Sequence, residues 1–348
     1  MAGVVRDHVG LHSTDYWTPY LSLWARLGQL DAAAFYAELQ TGGAYVRVNA
    51  WRQTVHVIHA SDVPLVLRAC GSRLGAVGRR GLNAVSSADF EAVLGTIGAA
   101  VADGPLDVNA LKEAVPAIRA QSRNWILAAM GAGILVRGRA AHARSNRCEY
   151  DSLVGLVPDP RSIDEARRAL LQRYVAAFGP VCDDDMAWWL PATRREVHAA
   201  LSTLGPTFFS IEEDGRRWYA PCTLLEGAEP APPGVWLLPY EDALPKGYVE
   251  RSWYLSDRSR AVVYPHNVED LHPADFLAAS KPQGANRTGE IRPSIWHEGR
   301  VVGRWEFAKA DSVVGRIHED VGAQATAQVD DALHRLEGFV RAQLVPIS

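Results

Sequence analysis

His12, Ser13 and Thr14 stand together immediately before the apolar stretch "DYWTPYLSLWARL" in a chain of 348 residues. Such a trio has two readings. Thr14 or Asp15 can accept hydrogen bonds from the free backbone N–H groups of a helix beginning at Tyr16, which is capping. Alternatively, the side chains carry chemistry, for which the imidazole is the group that titrates near neutrality. His8 and His12 lie four apart on one possible helix face and His56 and His59 three apart, but no carboxylate completes a ligand set, so no metal is expected. The four lysines, Lys112, Lys246, Lys281 and Lys309, limit amine chemistry. There is no phosphate-binding loop, no G-x-S-x-G elbow and no His-Glu-x-x-His, and "GAVGRRG" lacks the dinucleotide-loop spacing. Phosphoryl and hydride transfer are disfavoured, and no cofactor is expected.

Basic charge is concentrated in residues 112 to 147, where Lys112, Arg119, Arg123, Arg137, Arg139, Arg144 and Arg147 face Glu113 alone. A one-signed stripe of this kind suits phosphate contact, whereas a merely solvated face normally mixes both signs. The whole chain carries a net charge of −4, so this argument for nucleic acid is local. Cys70, Cys148, Cys182 and Cys222 form no Cys-x-x-Cys pair, which disfavours structural zinc and points to reduced thiols in the cytoplasm. No basic leader precedes a long apolar run and no stretch approaches a membrane span. No membrane partner is expected.

These side chains need a scaffold, and local pattern supplies one. Apolar residues from Tyr16 to Leu27 follow helical spacing with Pro19 in the first turn. Asp31 caps a second helix, "AAAFYAELQ", and "AYVRVNAWRQTVHVIHA" turns to β-branched and aromatic residues. Helices followed by a hairpin suggest a winged helix. The segments "VADGPLDVNALKEAV" and "AAFGPVCDDDMAWWL" repeat the order helix end, Gly-Pro, acidic cap, helix, and each leads to a further helix and strands. In the second copy Asp214-Gly215 signals a tight hairpin. After the Pro-rich "EGAEPAPPG", the segments "VWLLPY", "YVERSWYL", "RAVVYP", "IRPSIW" and "RVVGRWEF" read as strands of a small sheet or barrel. A last helix carries Val329, Ala332, Leu333, Leu336 and Val340 on one face.

Five stretches, "VGLHSTDYWTPYLSLWARL", "RQTVHVIHASD", "ALLQRYVAAFGPVCDDDMAWW", "VWLLPYEDALPKGYVER" and "GEIRPSIWHEGRVVGRW", resemble in order those of the bacterial crosslink-repair DNA glycosylases, the AlkZ/YcaQ-like family. The resemblance spans nearly the whole chain. It implies an α+β fold of three tandem winged-helix modules around a small C-terminal β-barrel. The corresponding bounds are 1–80, 81–160, 161–225 and 226–348, the last including the terminal helix. It further implies hydrolysis of the N-glycosidic bond of bulky N7-alkylguanine, with some members protecting producers of DNA-alkylating natural products. The implied partner is duplex DNA carrying alkylated guanine, bound by a cytoplasmic monomer that joins the nucleoid on DNA. Arg119, Arg123, Arg137, Arg139, Arg144 and Arg147 are the expected DNA contacts.

Family members carry Gln-apolar-Gln or Gln-apolar-Asp after the Gly-Leu pair, and here Gly10-Leu11 is followed by His12-Ser13-Thr14. The resemblance therefore implies a kept site with changed residues. His12 would accept a proton from the attacking water and Thr14 would hold that water, with Ser13 facing away; the alternative is that Thr14 caps and His12 is a wall residue. The family's Arg-Gly-Thr-apolar-His segment matches Arg52, Thr54 and His56, with Gln53 replacing the glycine, and implies support of the site and nearby DNA contact. Residues 266 to 289 form an unusually long connection, either a specificity loop or tolerated surface. Loss of the glutamines leaves a non-catalytic winged-helix regulator as a rival reading, and the net acidity leaves a small-molecule hydrolase or drug-sequestering protein.

Overall fold

The computed structural model describes residues 1–347 except 42, 83, 141, 143, 144, 146, 154–157, 191, 202–204, 214, 228–232, 265–290 and 310. The expectations for Arg144, for the Asp214 turn position and for the 266–289 connection lie outside the described residues, as does most of the Pro-rich connector. The chain divides into two compact units. One comprises Met1–Tyr16 and Ala34–Cys222, the other Trp17–Ala33 and Thr223–Ser348.

The first unit opens with α1 (Ala2–Asp7) and a two-residue strand, β1 (Leu11–His12). The chain passes through α2 (Trp17–Leu27) of the other unit and then α3 (Ala32–Thr41). The strands β2 (Tyr45–Asn49) and β3 (Val55–His59) follow, joined by a 3-10 turn at Trp51–Gln53. The helices α4 (Val63–Arg80), α5 (Ser87–Ala100), α6 (Val108–Ala114) and α7 (Ser122–Gly131) lead to β4 (Leu135–Ala140) and β5 (Cys148–Ser152). These strands form one antiparallel sheet in the order β1-β3-β2-β4-β5, so the hairpins of the first two helical stretches merge where Arg47 stands opposite Arg137.

The helices α4 and α7 approach through glycines. A Cβ placed on Gly131 would lie 2.2 Å from the Gly75 backbone nitrogen, closer than any side chain permits. Beyond them α8 (Ile163–Phe178) starts with a capping box in which Ser162 and Glu165 exchange hydrogen bonds. It leads to β6 (Val181–Cys182), α9 (Asp183–Trp189) and α10 (Arg194–Leu201). The hairpin of β7 (Phe208–Glu213) and β8 (Arg216–Pro221) closes a second sheet of order β6-β8-β7, with Glu213 opposite Arg216.

In the second unit α2 is held by polar contacts as well as apolar burial. Ser22 donates to Asp242 Oδ2 at 2.6 Å and Arg26 forks both Asp242 oxygens at 2.9 and 2.7 Å. Burial alone would raise the Asp242 carboxyl, but Arg26 and Ser22 hold it below its usual range. The strands β9 (Val235–Leu238), β10 (Ser294–His297), β11 (Arg300–Lys309) and β12 (Ser312–Ile317) pair in the order β12-β11-β10-β9. The terminal helix Gly322–Phe339 packs on β12 and β9 and buries Val329, Ala332 and Leu336, as its spacing predicts.

Among the described residues this sheet is open, not the expected closed barrel. Two of the five segments read as strands are something else. Residues 248–255 form turns, in which Tyr254 and Leu255 both donate to the Arg251 carbonyl. Residues 260–263 complete a helix, Asp257–Val263, because Ser256 caps it by accepting from the Ser259 N–H. The cap and the acidic first turn override the β-branched run that follows.

Candidate active site

Two rows of paired residues organise the five-stranded sheet. Directly opposed residues in an antiparallel sheet point to the same face. His12 is opposite His56, which is opposite Val48; the next row, on the other face, runs Leu11, Val57, Arg47, Arg137, Tyr150. The first row brings the two histidines together. Gly10 fixes the entry to β1: its φ is +138° and a Cβ there would meet Ile58 Cδ1 at 2.3 Å. A side chain at this position would strain the backbone and need Ile58 to move aside.

His12 and Ser13 are buried, at 3% and 1% exposure, while Thr14 is exposed. The Ser13 N–H donates to the Val55 carbonyl at 2.7 Å, continuing the β1–β3 pairing by one rung. The Thr14 hydroxyl accepts from the Val55 N–H at 3.3 Å and lies 3.3 Å from His12 Nε2. The hydroxyl keeps its own proton while its oxygen accepts from Val55, so it can donate to Nε2 when that nitrogen carries no proton. Thr14 thus uses its side chain on β3 and His12 rather than as a cap on α2. His56 Nδ1 donates to the Thr54 carbonyl at 3.1 Å, and the Thr54 hydroxyl donates to the Trp51 carbonyl at 3.2 Å.

The histidine spacings do not form metal pairs. His8 terminates α1 and donates Nδ1 to the Val4 carbonyl, whereas His12 is on a strand, so they share no helix face. On β3 the two side chains point oppositely: His56 toward His12, and His59 toward Arg6 and Ser61. Among the described residues no cluster of three His, Cys, Asp or Glu side chains could hold a metal ion.

Arg52 sits in the turn beside this pair with a left-handed backbone, φ 56°. In a non-glycine residue that conformation is strained by about 1–3 kcal/mol and persists only where the surroundings hold it. They do so here through Trp188 of α9, whose ring lies 3.4 Å from the Arg52 guanidinium carbon. The neighbouring Trp51 stacks on Trp189 at 4.4 Å and lies tilted against His56 at 4.2 Å between centroids. Gln53 completes the turn. Sequence reasoning does not single out Trp188 and Trp189, because it takes "DDDMAWW" only as part of a repeat and of a family stretch. An aromatic pair one turn after an acidic helix start is the signal that could have found them.

The expected basic stripe is divided in space. Arg119, Arg123 and Arg147 are exposed. Arg139 is paired with Glu149 at 2.9 Å. Arg137 enters the sheet's other face, donating to Cys148 Sγ at 3.8 Å beside Tyr16 and the buried Arg47, whose guanidinium lies 4.3 Å from the Tyr16 ring centroid. Burial there pushes the Tyr16 phenol well above its usual range.

A family model described as DNA glycosylase AlkZ-like matches residues 5–339. Among solved structures, Streptomyces sahachiroi DNA glycosylase AlkZ is similar, with a TM-score of 0.71 at 17% identity over 97% of this chain and 91% of that one. At that identity the likeness speaks for the fold. No curated protein matches the sequence.

Proposed function

This chain belongs to the AlkZ-like DNA glycosylase family, and we propose that it releases N7-alkylguanine from duplex DNA by hydrolysis alone, with His12 and Thr14 directing the water. The observation that carries the reading is the hydroxyl of Thr14, an exposed residue, hydrogen-bonded at 3.3 Å to the buried His12 ring. Alkylation at N7 makes the base a cationic leaving group, so little protonation of it is needed. What remains is to place a water and stabilise an oxocarbenium-like sugar.

The C1′–N9 bond breaks with its electron pair passing to the base, which leaves neutral, and the water oxygen bonds to C1′. The water's proton passes to Thr14 Oγ1 as the Thr14 proton passes to His12 Nε2. Because His12 is buried and Thr14 exposed, the hydroxyl is the connection between ring and water. Arg52, Thr54 and His56 support the site, and Arg119, Arg123 and Arg147 offer charge to the phosphates. A DNA-binding reading also accords with helices that run into the β2–β3, β4–β5 and β7–β8 hairpins, the order of tandem winged helices. Bulky N7 adducts, such as those of a DNA-alkylating natural product against which the protein would protect its producer, are the proposed substrates.

The test is incubation with duplexes bearing N7-methylguanine and a bulky N7 adduct, with free base and abasic sites quantified. Free base together with an intact abasic strand is expected. Borohydride trapping of a covalent complex would show a lyase instead, and no release from either duplex would overturn the proposal in favour of a non-catalytic DNA binder.

A further inference from the structure

We propose that Trp189 is a positioning residue for His12, acting through Trp51 and His56; the inference rests on the role given to His12 above. Four rings run in unbroken contact from α9 to β1. Trp189 stacks on Trp51 with centroids 4.4 Å apart and planes 27° from parallel. Trp51 lies against His56 at 4.2 Å and 42°. His56 meets His12 at 5.5 Å and 86°. Behind Trp189, Tyr174 of α8 stacks at 4.6 Å, and Phe178 follows Tyr174 at 5.2 Å. Every ring from Trp189 to His12 is at most 3% exposed.

Burial of large rings is ordinary core packing, and two features set this stack apart. The first is where it ends, on an imidazole whose Nε2 lies 3.3 Å from the hydroxyl of Thr14, the exposed member of the His-Ser-Thr trio. The terminal torsion of a histidine is broad, so hydrogen bonds or packing must select the ring's orientation. The Thr54 carbonyl fixes one edge of His56 and Trp51 fixes its face. The second feature is the pairing in register: the consecutive residues Trp51 and Arg52 are gripped by the consecutive residues Trp189 and Trp188. Arg52 is in a strained left-handed conformation, so the turn carrying Trp51 is held in place by α9 and not by its own backbone preference. The short helix α9 is in turn fixed at its start, where Asp185 accepts from both the Cys182 N–H and its thiol. A helix of the segment 161–225 thereby sets the angle of a ring in the segment 1–80.

The experiment compares Trp189→Leu, which removes the flat face, with Trp189→Phe, which keeps one. Single-turnover release from N7-methylguanine duplex should fall about 10–100-fold in Trp189→Leu, the scale of a small misplacement of a reacting group. The acid limb of its pH–rate profile should move, its duplex Kd should not, and Trp189→Phe should recover most of the rate. In parallel, histidine ring resonances read by NMR should shift at His56 and His12 in Trp189→Leu, because the ring current of Trp51 is displaced. Unchanged ring resonances and an unchanged pH profile in a folded Trp189→Leu protein overturn the inference. Should Trp189→Leu fail to melt cooperatively, the resonances of Trp189→Phe decide: smaller shifts at the same two histidines support it and none overturns it. If the parent protein releases no base, the proposed function falls while the ring resonances still decide the positioning.

Discussion

The rings of His12 and His56 meet edge to face, with centroids 5.5 Å apart, on adjacent strands of one sheet. Two imidazolium charges at that separation would repel by about 3 kcal/mol at an effective dielectric of about 20. A proton resident on His12 removes the lone pair that the proposed chemistry needs.

From this follows the behaviour of His12 variants. Replacing His12 by alanine should lower the single-turnover rate by a factor on the order of 10²–10⁴, the range for a positioned acid–base group, with little change in duplex affinity. Glutamine, the residue usual in the family, should recover part of the loss. The parent rate should decline as pH falls through the histidine range, and His12→Gln should not show that decline. A folded alanine variant working at the parent rate sinks the assignment.

In the proposed mechanism Thr14 connects the buried ring to the water, so its removal should cost as much as removal of the ring. Thr14→Ala should match His12→Ala in rate, and Thr14→Ser, which keeps the hydroxyl, should retain most activity. A loss confined to thermal stability would show that Thr14 only ties β1 to Val55. Single-turnover rates beside melting curves separate the two outcomes.

The exposed arginines Arg119, Arg123 and Arg147 should supply salt-dependent affinity. Their joint replacement by alanine should weaken binding of any duplex and flatten the slope of log affinity against log salt by about 2–3, near one unit for each phosphate no longer neutralised. Arg139, already paired with Glu149, should matter less when replaced alone. Titration of a fluorescent duplex at several salt concentrations measures both.

Glu196 ties α10 to α4 and α8 through Arg73 and Arg167 and receives hydrogen bonds from the Thr193 N–H and hydroxyl. Burial raises its pKa, but the Thr193 bonds and Arg73 outweigh burial and bring it to about 2 from 4.5. The unfolded chain binds the proton more tightly than the folded one, so stability rises with pH across that interval. This contribution is fully present above about pH 4.5 and is lost as pH falls toward about 2. Melting curves of Glu196→Gln should be less stable than the parent near neutrality and show a shallower acid loss. Parallel curves for the two proteins would contradict the shift.

The sequence singles out the residues of the proposed site but not how they are arranged. The trio stands out because three polar residues precede an apolar helix, and the resemblance names its neighbours at Arg52, Thr54 and His56. A strand of two residues is too short to leave a periodic signal. Without that signal, His12 reads as sharing a helix face with His8, and nothing in the pattern sets it directly opposite His56. The left-handed turn at Arg52 is equally hidden, since arginine carries no sign of that conformation. At the C-terminal end, β-branched residues in "RAVVYP" read as a strand, while the decisive signal is Ser256-Asp257 just before it.

Ser22 and Asp242 lie 220 residues apart in the chain. A ribosome adds roughly 5–20 residues per second, so α2 leaves the tunnel roughly 10–40 s before its carboxylate partner exists. For that interval Trp17, Tyr20, Leu21 and Trp24 have no sheet to rest on, although the histidine pair and its aromatic support come from residues made earlier. The residues of the proposed site are thus all made before the strands that α2 rests on. A nascent chain stopped at Cys222 would hold every residue of the proposed site and still be a client for chaperones.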